Sequence, residues 1–146
     1  MNQDERALTV IDLLHRATRS ISDDLRTHLS EVADLDVSEF LLLRAIAAGA
    51  TSPSRLSLTL GLHPAATSRT LTRLVHAGLV TRRPDPEDSR RIEATLTQHG
   101  VTVTRRIADR VRPRLNRRLQ ALAPDQMTLL LDALELLADP EADARP

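Results

Sequence analysis

Residues 52–97 place turn-forming residues between short apolar segments in an order that few folds accommodate. Ser52 followed by Pro53 is typical of a helix N-cap with proline at the first helical position, so the pair predicts the start of a short helix. Gly61 predicts a turn at the end of that helix. The helix after this turn is closed by Gly78, because glycine readily adopts the backbone conformation found just past a helix end.

Two strand candidates complete this part of the chain. Residues 79–82 are a short strand candidate and residues 92–96 alternate in polarity, and together they flank a polar loop, 83–91, that contains two prolines, so they predict an antiparallel hairpin. Residues 55–60 also alternate and are compatible with a strand, but the cap before them favours a helix. The predicted order is a helix-turn-helix followed by a β-hairpin wing.

Long helical patterns flank this region. Residues 5–31 carry apolar side chains at steps of three and four, which predicts a long first helix, and an apolar second helix follows from Asp36 or Ser38. After the hairpin, two more helices are predicted at about 97–122 and 124–138. The sequence therefore predicts a mainly α fold with a small β-hairpin wing.

The 146 residues carry no net charge, but the charge is unevenly distributed. Residues 1–50 contain 5 Arg and 9 Asp or Glu (net −4), residues 51–91 contain 7 Arg and 3 acidic residues (net +4), and residues 92–146 contain 8 of each. Every basic residue is arginine, which binds phosphate through two hydrogen bonds, although a GC-rich genome would produce the same bias. A basic segment between acidic and neutral ones is compatible with a nucleic-acid partner.

Several classes of protein are excluded by residues that the chain lacks. Without cysteine there is no disulfide, thiolate metal site or thiol redox chemistry, and with Phe40 as the only aromatic residue there is no stacking platform for single-stranded nucleic acid. The five histidines lack close metal-ligand spacing, and no catalytic motif is recognisable, so we expect no metal, no cofactor and no enzyme. No apolar run approaches the roughly 20 residues of a membrane span, and the N-terminus is acidic, so we expect a cytoplasmic protein without membrane contact.

The helix after the turn has one apolar and one basic face. At about 100° per residue, Arg69 and Arg73 point away from the apolar side, with Ala65 and Thr72 beside them. Small, hydroxyl and guanidinium side chains on one face suit a helix that enters the DNA major groove. The alternative is a pair of solvated surface charges, but the position of the pair in a helix-turn-helix favours DNA. The apolar face consists of Thr67, Leu71, Leu74, Val75 and Gly78.

Arginines also bracket the hairpin loop, at Arg82, Arg83, Arg90 and Arg91. Asp88 lies two residues before Arg90, and a carboxylate this close can hold an arginine side chain at a fixed angle. The loop is therefore predicted to present a preorganised wing tip to a minor groove. The alternative is an ordinary surface ion pair, which contributes little energy.

Three motifs of this region resemble the signature of the MarR family of winged-helix transcriptional regulators. Residues 74–82 read LVHAGLVTR, 88–91 read DSRR and 96–100 read LTQHG, similar to the family patterns L-x-x-x-G-L-V-x-R, D-x-R and L-T-x-x-G. Residues 68–69 match the Ser/Thr-Arg dipeptide usual in the family's recognition helix. Ser57 departs from the family pattern, which has a small apolar residue there. The resemblance covers the whole chain.

The resemblance implies a homodimer on pseudo-palindromic double-stranded DNA, most simply a repressor. It implies dimerisation helices in 1–34 and 98–139, a winged helix-turn-helix DNA-binding domain in 35–97, and a flexible tail in 140–146. The apolar stripes of the flanking helices also favour a dimer. So short a chain has no further element to cover these stripes, and a partner subunit would bury them. The alternatives are a winged-helix protein-interaction module, which a neutral recognition face would indicate, and a ligand-independent architectural DNA-binding protein.

Carried over by position, the resemblance implies that Ser68, Arg69, Thr70 and Arg73 lie in the major groove. Arg90 reaches the minor groove with the support of Asp88. The complete predicted DNA-binding set is Ala65, Ser68, Arg69, Thr70, Thr72, Arg73, Arg82, Asp88, Arg90 and Arg91.

The resemblance also implies a small amphipathic or aromatic ligand, bound between the dimerisation helices and the winged domain. Phe40 is the only side chain that could stack on a ring. Polar contacts to an acidic ligand could come from His15, Arg19, His28 and Arg44, but ordinary surface or dimer-interface roles are the favoured alternative for these four.

A second arginine-rich run lies between Arg105 and Arg118, on the helix after the wing. Its first members could contact phosphates that flank the site. The favoured interpretation is that the run pairs with acidic residues of the first and last helices.

Overall fold

The computed structural model describes residues 2–139, which form six helices and one two-stranded antiparallel hairpin. This confirms the predicted mainly α, winged helix-turn-helix fold. The predicted tail, 140–146, lies outside the described residues. The elements are α1 (Gln3–Val32), α2 (Val37–Ala47), α3 (Pro53–Leu60), α4 (Pro64–His76), β1 (Val80–Pro84), β2 (Ile92–Leu96), α5 (Gln98–Leu119) and α6 (Pro124–Ala138).

Side-chain caps set the helix ends. Of the two predicted starts of α2, Asp36 is the N-cap, and it forms a capping box with Glu39. The Ser52 hydroxyl accepts a hydrogen bond from the amide of Arg55, and Gly61 ends α3 at a φ of 60°. The alternating segment 55–60 is therefore helical, as its cap predicts.

The hydrophobic core is centred on α2, which contacts α1, α3, α4 and β2. Leu42 and Leu43 of α2 are fully buried, as are Leu71 and Leu74 on the face of α4 that the helical wheel predicts. Each such leucine contributes about 1.5–3 kcal/mol to folding. The prediction for Val75 is corrected: we expected this residue on the buried apolar face of α4, but its side chain is 37% exposed.

A buried hydrogen bond joins the two helices of the helix-turn-helix. The Ser57 hydroxyl donates to the Thr67 hydroxyl at 2.8 Å, and both side chains are buried. The departure from the family pattern at Ser57 is therefore matched by a polar partner, which removes most of the cost of burying a hydroxyl.

The segment 97–100 joins the hairpin to α5 by an unusually close backbone contact. The Thr97 hydroxyl donates to the carbonyl of Gly78 at 2.6 Å and accepts from the amide of Gly100 at 2.9 Å. A Cβ on Gly100 would lie 2.0 Å from the carbonyl oxygen of Leu79. In the LTQHG motif, the threonine is thus needed for its hydrogen bonds, and the glycine is needed because no side chain fits beside the Leu79 carbonyl.

The chain divides into two compact units, one ending at Val111 and the other beginning at Arg112. Helix α5 runs through this boundary and continues past Pro113. In the first unit, Arg110 pairs with Glu31 of α1 at 3.1 Å. This agrees with the favoured interpretation of the second arginine run, since Glu31 is an acidic residue of the first helix.

Large apolar side chains are exposed on α1 and on α6. In α6 no residue is buried, and in α1 only Leu25 and Leu29 are. The exposed side chains are Leu8, Val10, Ile11, Leu13 and Leu14 of α1 and Leu129, Leu130, Leu131, Leu134, Leu136 and Leu137 of α6.

Candidate nucleic-acid interface

The exposed face of α4 begins with small and polar side chains. His63 caps the helix, with its Nδ1 accepting from the amide of Ala65 at 3.2 Å, and Ala65 is exposed. Ser68 and Arg69 follow on the same exposed face, and neither side chain makes a hydrogen bond or ion pair with any residue of 2–139. The first half of α4 thus presents a free hydroxyl and a free guanidinium to solvent.

Thr70 does not belong to this face. Its side chain is buried, with 6% exposure, together with Thr67, Leu71 and Leu74. The prediction that Thr70 lies in the major groove is therefore wrong for this chain, because the residue packs toward the core and cannot reach a base edge.

Arg73 is exposed but not free. Its Nη2 lies 2.9 Å from Asp36 Oδ2, and its Nε lies 3.1 Å from Glu39 Oε1. The guanidinium therefore reaches the N-terminus of α2 instead of projecting freely from α4. Sequence reasoning missed this pairing. The Asp36–Glu39 spacing signals a capping box, but nothing in the sequence indicates an arginine 37 residues away.

Arg82 connects the wing to the recognition helix. Its Nη2 donates to the carbonyl oxygen of Ser68 and to the hydroxyl of Thr72, each at 3.2 Å. The Thr72 hydroxyl in turn donates to the same Ser68 carbonyl at 2.9 Å. Both side chains belong to the predicted DNA-binding set, and the structure uses them to fasten β1 to α4.

The wing tip differs from its predicted arrangement. Asp88 Oδ1 accepts from the backbone amide of Arg90 at 3.1 Å, while Asp88 Oδ2 lies 3.6 Å from Arg91 Nε. The carboxylate therefore shapes the backbone before Arg90 and pairs with Arg91. The prediction that it supports the Arg90 side chain is corrected, since that guanidinium has no partner among the described residues.

The seven arginines of residues 51–91, all of which the structure describes, fall into two groups. Arg73, Arg82 and Arg91 are held by the contacts above. The remaining guanidinium groups make no hydrogen bond or ion pair within 2–139, and they are Arg55, Arg69, Arg83 and Arg90.

The predicted ligand residues have different surroundings in the described chain. Phe40 has 3% exposure in the core, so it cannot stack on a ring as predicted. His15 and Arg19 are exposed on α1 and Arg44 is exposed on α2, and no hydrogen bond or ion pair within 2–139 joins them. Over the same range, no three histidine or acidic side chains are grouped to hold a metal ion. None of the described helices has the length and apolar character needed to cross a membrane.

Comparison with known proteins identifies relatives with the same domain type. The family model described as MarR family matches residues 33–91. The chain is 32% identical over 104 residues to YhbI, an uncharacterised HTH-type transcriptional regulator of Bacillus subtilis, with 68% of each chain covered.

Solved structures give the same result. The structure is similar to a mutant MarR from E. coli complexed with operator DNA, at 26% identity and a TM-score of 0.76, covering 94% of this chain and 99% of that one. It is also similar to NadR in complex with 4-hydroxyphenylacetate, at 27% identity and a TM-score of 0.79, covering 88% and 91%. Sequence motifs, winged fold and relatives agree, and the chain belongs to the MarR family of transcriptional regulators.

Proposed function

We propose that this MarR-family regulator binds pseudo-palindromic double-stranded DNA as a homodimer and represses transcription by occupying a promoter. The observation that carries the proposal is the exposed start of α4, where Ala65, Ser68 and Arg69 leave room, a hydroxyl and a guanidinium for base edges. Arginine is the side chain that most often reads guanine in the major groove. The structural relative bound to operator DNA supports the proposal.

The wing supplies a second contact. The guanidinium groups of Arg83 and Arg90 flank the hairpin loop and have no partner in the described chain. Arginine is favoured in narrow minor grooves, where the negative potential is strongest. In this proposal Arg82, Thr72 and Asp88 hold the interface together rather than read the DNA.

The dimer is proposed from the apolar surfaces of α1 and α6. A monomer would expose large apolar side chains to water on each of these two helices, which is unusual for a soluble protein. In the proposal, 1–34 and 98–139 form the dimer interface and 35–97 form the DNA-binding domain. Two-fold symmetry would place the recognition helices about 34 Å apart, one turn of DNA.

Selection from a pool of random DNA duplexes tests the function. The expected result is a two-fold symmetric motif bound by two chains, as measured by the mass of the complex in sedimentation. If each chain neutralises about four phosphates, log affinity falls with log salt at a slope of about −7. A slope near zero, or no enriched motif, would contradict DNA binding.

We also propose that a small aromatic acid weakens DNA binding by this regulator. The support is the relative solved with 4-hydroxyphenylacetate, the exposed guanidinium groups of Arg19 and Arg44 and the exposed imidazole of His15. Titration of the DNA complex with 4-hydroxyphenylacetate is the first test, with fluorescence anisotropy of a labelled duplex as the readout. Unchanged anisotropy up to millimolar acid would contradict the proposal for this ligand.

A further inference from the structure

The two carboxylates of the α2 capping box, Asp36 and Glu39, bind both the α2 backbone and the guanidinium group of Arg73. Asp36 Oδ1 accepts from the Glu39 amide and Glu39 Oε2 accepts from the Asp36 amide, both at 2.8 Å. The two remaining carboxylate oxygens, Asp36 Oδ2 and Glu39 Oε1, lie 2.9 and 3.1 Å from Arg73. Each of the four oxygens thus has one partner, two in the α2 backbone and two on the recognition helix.

Burial makes this arrangement hard to leave. The Glu39 side chain is only 9% exposed, while those of Arg73 and Asp36 are 59% and 52% exposed. A buried carboxylate without a countercharge is strongly destabilising, so Glu39 requires the arginine beside it. The planar guanidinium group of Arg73 donates to two carboxylates at once. If Arg73 turned to a DNA phosphate instead, the buried carboxylate of Glu39 would lose its countercharge.

Arg69 provides the contrast within the same helix. It lies one turn before Arg73 on the exposed face and has no partner in residues 2–139. One arginine of the pair is therefore available to a ligand, and the other is committed to α2.

We propose that Arg73 is a positioning residue of the recognition helix and not a DNA contact. Its guanidinium fastens α4 to the capping box of α2, and this sets the angle at which Ser68 and Arg69 meet the bases. The proposal rests on the DNA-binding function proposed above.

The test is a double-mutant cycle between Glu39→Gln and Arg73→Gln, read out as affinity for the selected duplex. Glutamine at position 39 keeps the capping box, since Gln also serves at the third helical position. If Arg73 positions α4, Glu39→Gln alone weakens DNA binding about tenfold, which corresponds to about 1.4 kcal/mol. The double variant then binds no more weakly than the Arg73→Gln variant, because both changes break one contact.

A direct role for Arg73 on DNA predicts the opposite sign. Glu39→Gln would then release the arginine and remove a negative charge, so affinity would rise or stay unchanged, and the cycle would be additive. That outcome would overturn the proposal. The salt slope separates the two roles further, because losing one phosphate contact per chain reduces the slope of a dimer by about 1.8, whereas losing the clamp leaves it unchanged.

Two further variants guard the interpretation. Asp34→Asn removes a carboxylate that has no partner among the described residues two positions before the capping box, and it is expected to leave affinity unchanged. If Glu39→Gln does not fold, Asp36→Asn takes its place, since Asn caps as well as Asp but offers Arg73 an amide instead of a charge. Binding is compared below the unfolding transition of every variant. Failure of the wild-type chain to bind any duplex would instead disprove the proposed function.

Discussion

Helices α2 and α6 are both rich in leucine, yet they have opposite surroundings. Six of the 11 residues of α2 are buried, whereas none of the 15 residues of α6 is. Most apolar side chains of α2 are covered by α1, α3, α4 and β2, while the large apolar side chains of α6 are exposed in the described chain. An apolar helical pattern therefore predicts a helix that needs a partner, but not whether the partner belongs to the same chain.

The largest expected effect comes from leucines on the two helices. Leu42→Ala in α2 removes a fully buried side chain and is expected to lower the free energy of unfolding by about 3 kcal/mol. Leu134→Ala in α6, where the side chain is 40% exposed, should change stability by an amount that depends on protein concentration. Urea unfolding at several concentrations measures both. Equal losses for the two variants at every concentration would remove the distinction between the helices.

A second prediction concerns the start of α5, where the chain leaves the winged domain. Gly100→Ala is expected to lower the free energy of unfolding by about 2 kcal/mol, because the new Cβ would overlap the Leu79 carbonyl and force the backbone to shift. Alanine is otherwise the better helix former, so an isolated helix would gain from the change. His99→Ala, at the exposed neighbouring position, is the control. A stabilised Gly100→Ala variant would show that α5 moves away at no cost.

The same division between partnered and unpartnered side chains applies to the wing. Arg90→Ala is expected to weaken DNA binding about tenfold, or about 1.4 kcal/mol, without changing the dimer or the unfolding free energy, because its guanidinium has no contact within 2–139. Arg91→Ala should have the smaller effect, since Arg91 is paired with Asp88. Fluorescence anisotropy with a labelled duplex measures the DNA affinity, sedimentation measures the dimer, and urea unfolding measures the unfolding free energy. Unchanged DNA affinity in the Arg90→Ala variant would disprove the wing contact.

The smallest effect is expected for Asp88→Asn. The Asp88–Arg91 pair is 3.6 Å long and largely solvent-exposed, and such pairs contribute less than about 1 kcal/mol. Asparagine can still accept the hydrogen bond from the Arg90 amide, so the loop backbone should stay as it is. DNA affinity is expected to change less than about threefold. A loss as large as that of Arg90→Ala would show that the carboxylate charge itself orders the wing.

The sequence predicted the elements of this fold because their ends carry local signals. Ser52, Gly61 and Gly78 act through bonds to residues within a few positions. The second hairpin strand matches the prediction, whereas β1 begins one residue later than predicted, at Val80, and extends to Pro84. Contacts between residues far apart in the sequence could not be predicted from such local signals. Whether Arg73 points to solvent or to Glu39 depends on how α4 packs against α2. The spacing of residues within either helix does not indicate how the two helices pack.

The candidate site shows the same limit. The helical wheel placed Arg69 correctly on the exposed face. Thr70 was assigned to the major groove by its position in the family resemblance, and the packing of α4 against the core buries it. The burial of Phe40 agrees with the apolar pattern of α2, so the stacking role that Phe40 was given as the only aromatic residue conflicts with the pattern of its own helix.

The hydrogen bonds of the winged domain also bear on the order in which the chain folds. Those within the helix-turn-helix and the hairpin close short loops, with Ser57 and Thr67 10 residues apart and Thr81 and Thr95 14 apart. Those that attach the preceding segment close long ones, since Arg73 and Asp36 are 37 residues apart and Thr51 and Glu93 are 42 apart. Loop-closure entropy rises with the logarithm of loop length, so the short loops form at the smaller entropic cost. Contacts within the DNA-facing part of the domain therefore close at a smaller entropic cost than the contacts that attach α2 to α4.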